Sequence, residues 1–253
     1  MTGMGAVLQR DLKDLLRTNA FRIVAIVFTV FTIGAAVGAS IGLSRWEFLE
    51  QQPAAITKPA LEFIMGPIVY FLTFFALISF IWAFTTDAIT KEKANGNIEA
   101  LLATPLSPKA IWIGKSLAIF LPGFAIGVIS SLIVVLAVNF AAIHPATGNF
   151  VLPAPVLFTG FVANPLLFLG LTLLIILITL AYNPNTGTTL SMMLGWGMLI
   201  AMGALIPLGK INLTSWWPFT LCYLAAAIVL VAVVFYLSRL LTKEKVVLSS
   251  KGG

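Results

Sequence analysis

Charge is scarce in this chain. Of its 253 residues, 9% are Asp, Glu, Lys or Arg and 60% are hydrophobic, against about 25% and 45–50% in a typical soluble domain. Residues 116–209, between Lys115 and Lys210, contain no Asp, Glu, Lys or Arg at all. So few charges cannot build a soluble surface, and uncharged apolar runs of about 18 residues or more are membrane spans. A soluble enzyme and a nucleic-acid binder are excluded, and the net charge of +6 becomes a topology signal. The single cysteine, Cys222, excludes an intramolecular disulfide and a cysteine metal site. The single histidine, His144, leaves no Ser–His pair for an intramembrane hydrolase. No Gly-x-x-x-x-Gly-Lys-Ser/Thr loop is present, so the chain lacks that device for cradling ATP. Span centres carry no titratable group, which disfavours a proton-driven carrier.

The fold expected is an all-α integral membrane protein forming one transmembrane domain over residues 1–253. Six spans are placed near 22–43, 62–86, 112–138, 156–181, 189–208 and 217–239, each long enough for about 30 Å of hydrocarbon. Turn chemistry at His144-Pro-Ala-Thr-Gly-Asn149 and Asn183-Pro-Asn-Thr-Gly187 divides the charge-free stretch. Arg10, Lys13, Arg17, Arg22, Lys91, Lys93, Lys109, Lys115, Arg239, Lys243, Lys245 and Lys251 fall on one side of this topology. Arg45, Lys58 and Lys210 fall on the other. The asymmetry predicts cytoplasmic termini. Trp46, Trp216 and Trp217 stand where an outer aromatic belt is expected.

Residues 4–18 read as an amphipathic interfacial helix. Met4, Leu8, Leu12, Leu15 and Leu16 form one face, and Arg10, Lys13 and Arg17 the other. Asp11 falls on the edge of the apolar face and fits it poorly. Thr18 or Asn19 ends the helix before the first span rises.

The cytoplasmic loop over 87–111 is the one long charged segment. Asn95-Gly96 breaks the helix continuing from the second span. Asn97 caps a short helix from Ile98 to about Ala103, with Glu99 in its first turn. Pro105 stops it, and Ser107-Pro108 restarts a helix that runs into the third span. Leu101 and Leu102 ride on the short helix. Two readings remain: a plain connector on the membrane, or a knob that docks into another protein.

The stretch from Glu92 through Gly96, Asn97, Glu99, Leu101, Leu102, Thr104 and Pro105, ending at Gly114-Lys115, resembles the signature of the type-2 permeases of ATP-binding-cassette exporters. Asn97 and Ile98 stand where that family usually has Thr and Leu. Asn183-Pro-Asn-Thr-Gly187 is similar to a charged segment of the family but lacks its charges, and Lys243-Glu-Lys-Val-Val-Leu248 is similar to its basic C-terminal end.

The resemblance implies an exporter's permease subunit that binds no cofactor itself. A separate ATPase subunit, holding ATP and Mg, would dock on Glu92, Gly96, Asn97, Glu99, Leu101, Leu102, Thr104, Pro105 and Lys115. The other partners are a second permease copy, identical or related, and the lipid bilayer. No nucleic acid is expected. The location is a cell (plasma) membrane of the prokaryotic inner or cytoplasmic kind. In that family the second span borders the substrate path, which nominates Phe71, Phe75 and Trp82 as lining. Lipid exposure or core packing is the simpler account of these aromatics. Competing classes are a stand-alone secondary transporter or channel, and a non-transporting membrane scaffold. Gly34, Gly38 and Gly42 in the first span, and Gly123 and Gly127 in the third, are spaced for close helix approach.

Overall fold

The structure, a computed structural model, describes residues 3–45, 54–95, 97–152, 154–182, 184–205 and 216–251. Every regular element among them is helical. Helix α1 (Gly3–Arg17) is followed after one residue by α2 (Asn19–Ser44). Thr18 makes both ends: its hydroxyl donates to the Leu15 carbonyl at 2.8 Å and accepts from the Phe21 amide at 3.1 Å. This is the N-cap chemistry that a threonine in extended geometry supplies.

Helix α3 (Ala54–Ala94) is 41 residues long. At 1.5 Å per residue it measures about 60 Å, so it overshoots the expected span of 62–86 at both ends. The short α4 (Asn97–Ala103) follows, then α5 (Pro108–Val138). Ser107 caps α5 by accepting from the Ala110 amide at 3.2 Å, and Pro108 opens it.

Helix α5 does not stop near Val138 as expected. It passes through a π-helical turn, Asn139–Ile143, into α6 (His144–Thr147), a helical run of 40 residues. The chain stays apolar there, and Pro145, carried in the first turn of α6 after the π-helical turn, does not stop the helix before Gly148. Gly148 adopts φ 69°, and its amide bonds to the His144 carbonyl at 2.9 Å. Buried Asn139 clamps the following turn: its Nδ2 donates to the Val151 carbonyl at 3.1 Å, and its Oδ1 accepts from the Val151 amide at 2.7 Å. Helix α7 (Ala154–Phe158) passes through a second π-helical turn, Thr159–Ala163, into α8 (Asn164–Ala181). Helices α9 (Pro184–Leu205) and α10 (Trp216–Leu237), a 3₁₀ turn (Ser238–Leu240) and α11 (Lys243–Lys251) complete the described chain.

Five runs among the described residues are long and apolar enough to cross a membrane: Asn19–Ser44, Met65–Thr85, Pro108–Thr147, Ala154–Ala181 and Trp217–Leu240. The expected fifth span, 189–208, falls on α9 and is not among those five; its last residues, 206–208, lie outside the described ones. Helices α3, α5 and α8 form the centre, where Phe74, Val134, Phe168 and Ile176 are buried. Helices α2 and α10 are peripheral. Ile23, Ile26, Val30 and Phe31 of α2, and Leu221, Ile228, Val229 and Val233 of α10, stand exposed. An apolar surface this large suits lipid, not water.

The glycines divide accordingly. A Cβ on Gly123 would lie 2.9 Å from Phe80 of α3, and one on Gly127 would lie 3.2 Å from Ala76, so these two let α5 and α3 meet. A Cβ on Gly34, Gly38 or Gly42 of α2 would meet nothing within 4 Å among the described residues.

Candidate functional site

Cross-contacts gather α1, α4 and α11 at one end of the bundle. Gly3 of α1 lies against Leu106, and a Cβ on Gly114 would lie 3.0 Å from Val7 and 3.2 Å from the Met4 carbonyl. Gly114 therefore lets α1 lie directly on the start of α5. Val7 and Leu15 are buried, whereas Leu16 is exposed. Val7, Asp11 and Leu15 thus face the protein, while Leu16 of the expected stripe of Met4, Leu8, Leu12, Leu15 and Leu16 is turned away from it. Hydropathy cannot separate the two sides, because both are apolar and only one finds protein.

Asp11, the misfit of the sequence pattern, lies on the protein-facing side for an electrostatic reason. Its Oδ2 accepts from Lys115 Nζ at 2.9 Å, and Lys115 Nζ lies 2.6 Å from Glu92 Oε2. Arg10 closes the cluster, with Nη2 2.7 Å from Asp11 Oδ1 and 3.5 Å from Glu92 Oε1. The Lys115 side chain is 5% exposed. A cation so buried persists only when paired, and two carboxylates supply the pairing. The four side chains tie α1, the end of α3 and the start of α5 together.

Helix α4 is set beside this cluster. Ile98 is 1% exposed and roots it. Leu101 is half-buried, while Asn97, Ala100, Thr104 and Pro105 are exposed. The Thr104 amide and hydroxyl both return to the Leu101 carbonyl, at 3.3 and 2.5 Å, closing the helix before Pro105. A groove of about 440 Å³ runs between α4 and the cluster, lined by Arg10, Asp14, Glu92, Asn97, Leu101 and Thr104 among others. Of the residues expected to couple to an ATPase, the structure brings together Glu92, Asn97, Leu101, Thr104 and Lys115. Gly96 lies outside the described residues, as do the side chains of Glu99 and Leu102.

A second polar tie was not legible in the sequence. Lys93 Nζ donates to the Tyr182 carbonyl at 2.7 Å and to Ser249 Oγ at 2.9 Å. Ser249 Oγ in turn donates to the Leu180 carbonyl at 2.9 Å. Burial pushes the Lys93 ammonium down to about 8. Lys245 stands over the Tyr182 ring, 4.5 Å from its centroid. Together these dock α11 against the ends of α3 and α8.

The aromatics nominated as path lining do not converge on one cavity. Phe71 and Phe75 stack at 6.0 Å, and Phe75 faces a groove beside α2. Trp82 stacks on Trp196 of α9 at 5.8 Å, and a Cβ on Gly195 would meet its indole at 2.5 Å.

An all-helical multi-pass bundle with a short rooted helix after its second span is the arrangement against which the family comparison stands. The profile of the ABC-2 type transporter family matches residues 2–236. The chain belongs to that family. It is an integral membrane permease, the membrane component of an ABC-type transporter, as the Glu92–Lys115 motif led one to expect. No curated protein matches the chain. In this ABC-2 permease, the Gly-Lys pair opening the third span has a physical role. Gly114 admits α1, and Lys115 anchors it.

Proposed function

We propose that this permease is the membrane half of an ATP-driven exporter, with α4 as the docking point for a separate ATPase subunit that holds ATP and Mg. The observation that carries the reading is the mounting of α4. Its inner side is rooted by Ile98, and its outer side presents Asn97, Ala100 and Thr104. A seven-residue helix is too short to be stable alone in water, so it is held by its surroundings and offered outward. A push on α4 reaches α5 through the Ser107–Pro108 cap, and reaches α1 through Glu92, Lys115 and Asp11. One link enters the third span and the other the interfacial helix.

The working unit is a dimer of permeases, identical or related, with six spans per chain, α9 supplying the sixth. Both termini face the cytoplasm of a prokaryotic cell. The twelve-to-three distribution of Lys and Arg supports that orientation. Export is supported by the shortness of two connectors in the sequence. Residues 148–153 and 206–215 are too few to fold into a domain that captures cargo.

The test is co-purification of the ATPase together with cargo efflux for Glu99→Arg and Leu101→Asp. Glu99→Arg should abolish efflux with insertion intact, because an inverted charge at an interface is repulsive. Leu101→Asp should weaken ATPase retention. Normal efflux and retention in both variants would return α4 to a plain connector. Reporters fused at Gly253 and inserted near Gly148 should report opposite sides of the membrane.

A further inference from the structure

The exposed side of α5 forms one continuous apolar stripe. Leu121, Ala125, Ile129, Leu132, Leu136 and Phe140 are exposed at steps of three and four residues, which places them on one side of a helix. From Ile111 to Phe120 no residue is exposed, and there α1 lies on Gly114 and Lys115. From Leu121 to Phe140 the helix rises about 28 Å, close to the hydrocarbon thickness of about 30 Å. The stripe thus starts beside the interfacial helix and ends, at Phe140, at the interface of the opposite leaflet. Four residues on, exposed His144 takes the place of the apolar side chains.

The turn that follows prolongs this apolar side. Asn139 holds both the amide and the carbonyl of Val151. Val151 is thereby buried, and its neighbours Phe150 and Leu152 are exposed, as side-chain alternation along an extended chain requires. Phe150 meets Phe140 edge-on with ring centroids 5.0 Å apart, and the His144 ring lies 5.0 Å from Phe150. Residues 139–152 carry no Asp, Glu, Lys or Arg. A turn standing free in water would leave two aromatic rings and a leucine hydrated, with no charge around them. A patch reserved for a protein would be bounded against lipid, whereas this one runs without a break into the lipid-facing stripe. At the same end Phe158 pairs with exposed Trp217 at 6.3 Å, as in the aromatic belt of a membrane interface.

We propose that the turn closing this helical run is a membrane-interface anchor. Phe140, Phe150 and Leu152 lie in the headgroup layer and the outermost acyl region of the leaflet opposite Lys115, with Ala146 and Asn149 toward water. The Asn139–Val151 bonds hold the turn down on the bilayer. The inference stands apart from the ATPase-coupling reading, since it requires neither ATP, nor a partner subunit, nor a direction of transport.

The experiment is spin labelling of the full chain in vesicles of phosphatidylethanolamine and phosphatidylglycerol. Cys222 is the single native cysteine, so a Cys222→Ala background lets one nitroxide at a time be placed through Leu152→Cys, Ala146→Cys or Leu132→Cys. Collision with oxygen, which concentrates in hydrocarbon, and with a water-soluble nickel chelate gives the depth of each label. The label at 152 should lie about 5–10 Å into the headgroup and acyl boundary, the depth interfacial elements reach. The label at 146 should lie at or above the phosphates, and the one at 132 in hydrocarbon. Adding Phe140→Ser and Phe150→Ser should bring the label at 152 into water while the label at 132 stays in hydrocarbon. With both phenylalanines in place, a label at 152 that collides freely with nickel would overturn the proposal. So would one shielded from nickel and oxygen alike, as a covering protein would shield it. A label at 152 that keeps its depth after both serine substitutions would overturn it too.

Discussion

Lys115 Nζ stands 2.9 Å from Asp11 Oδ2, bridging residues 104 apart in the chain, from a position where the lysine side chain is 5% exposed. The pair fastens the interfacial helix to the third membrane-crossing helix, and Glu92 brings the second into the same cluster at 2.6 Å.

Removing the cation should therefore cost more than an ordinary surface pair. Lys115→Met leaves Asp11 and Glu92 with only the more exposed Arg10, at 2.7 and 3.5 Å, in place of the buried ammonium between them. Breaking a fully buried pair costs 3–5 kcal/mol; both carboxylates here remain partly wet, so about 2 kcal/mol is expected. Thermal unfolding in detergent should register the loss. Adding Asp11→Asn and Glu92→Gln to Lys115→Met should recover part of it, because two carboxylates are then no longer held together by Arg10 alone. A triple variant no more stable than Lys115→Met would place the effect in packing instead.

Gly114→Val should lift α1 away from α5. A Cβ there lies 3.0 Å from Val7 and 3.2 Å from the Met4 carbonyl, and backbone cannot give way as a flexible side chain can. Hydrogen exchange should accelerate over residues 3–17 and stay slow in the centre of α5. Unchanged protection of α1 would show that the helix is held by its ionic contacts alone.

Asn139→Leu should loosen the far-end turn. It removes two bonds to Val151 and leaves that residue's buried amide without its partner. The cost should be about 2 kcal/mol, from two lost bonds and one stranded donor. Melting of the variant should fall, with proteolysis rising at 148–153. A variant as stable as wild type would mean that the π-helical turn is held by packing.

Lys93 gives the expected pH dependence. Burial lowers its ammonium to about 8 in the folded chain, from the ordinary lysine value near 10.4. Between those values the folded state binds fewer protons than the unfolded one, so stability rises with pH across that window. The cost of the buried charge is complete below pH 8 and relieved above about 10.4. Lys93→Met should flatten this slope when melting of the two proteins is compared from pH 7.5 to 10. Parallel slopes would show that Lys93 keeps an ordinary lysine titration.

Much of the site's local frame was legible in the linear chain, because its signals are short-ranged. Thr18 divides α1 from α2, α3 ends at Ala94 just before Asn95, and Ser107 with Pro108 starts α5. Each of these acts through a hydrogen bond or a backbone restriction within four residues. Boundaries slipped where a break signal was overridden, as at His144-Pro145, since a proline fits the first turn after the π-helical turn and the helix ends only at Gly148.

By itself the sequence determined that the chain crosses a membrane several times, that its charges cluster at one end, and that a short helix between Asn95 and Pro105 interrupts them. Charge scarcity and turn chemistry suffice for that, because hydrocarbon excludes charge and requires backbone bonds to close within the segment. Only the tertiary structure decided which side of α1 faces protein, why Asp11 interrupts its apolar stripe, and that Lys93 lies beneath a helix whose Ser249 is 156 residues away. Those choices depend on close approach and burial between distant segments. Neither leaves a periodic mark on the chain, and a buried lysine is written with the same letter as an exposed one.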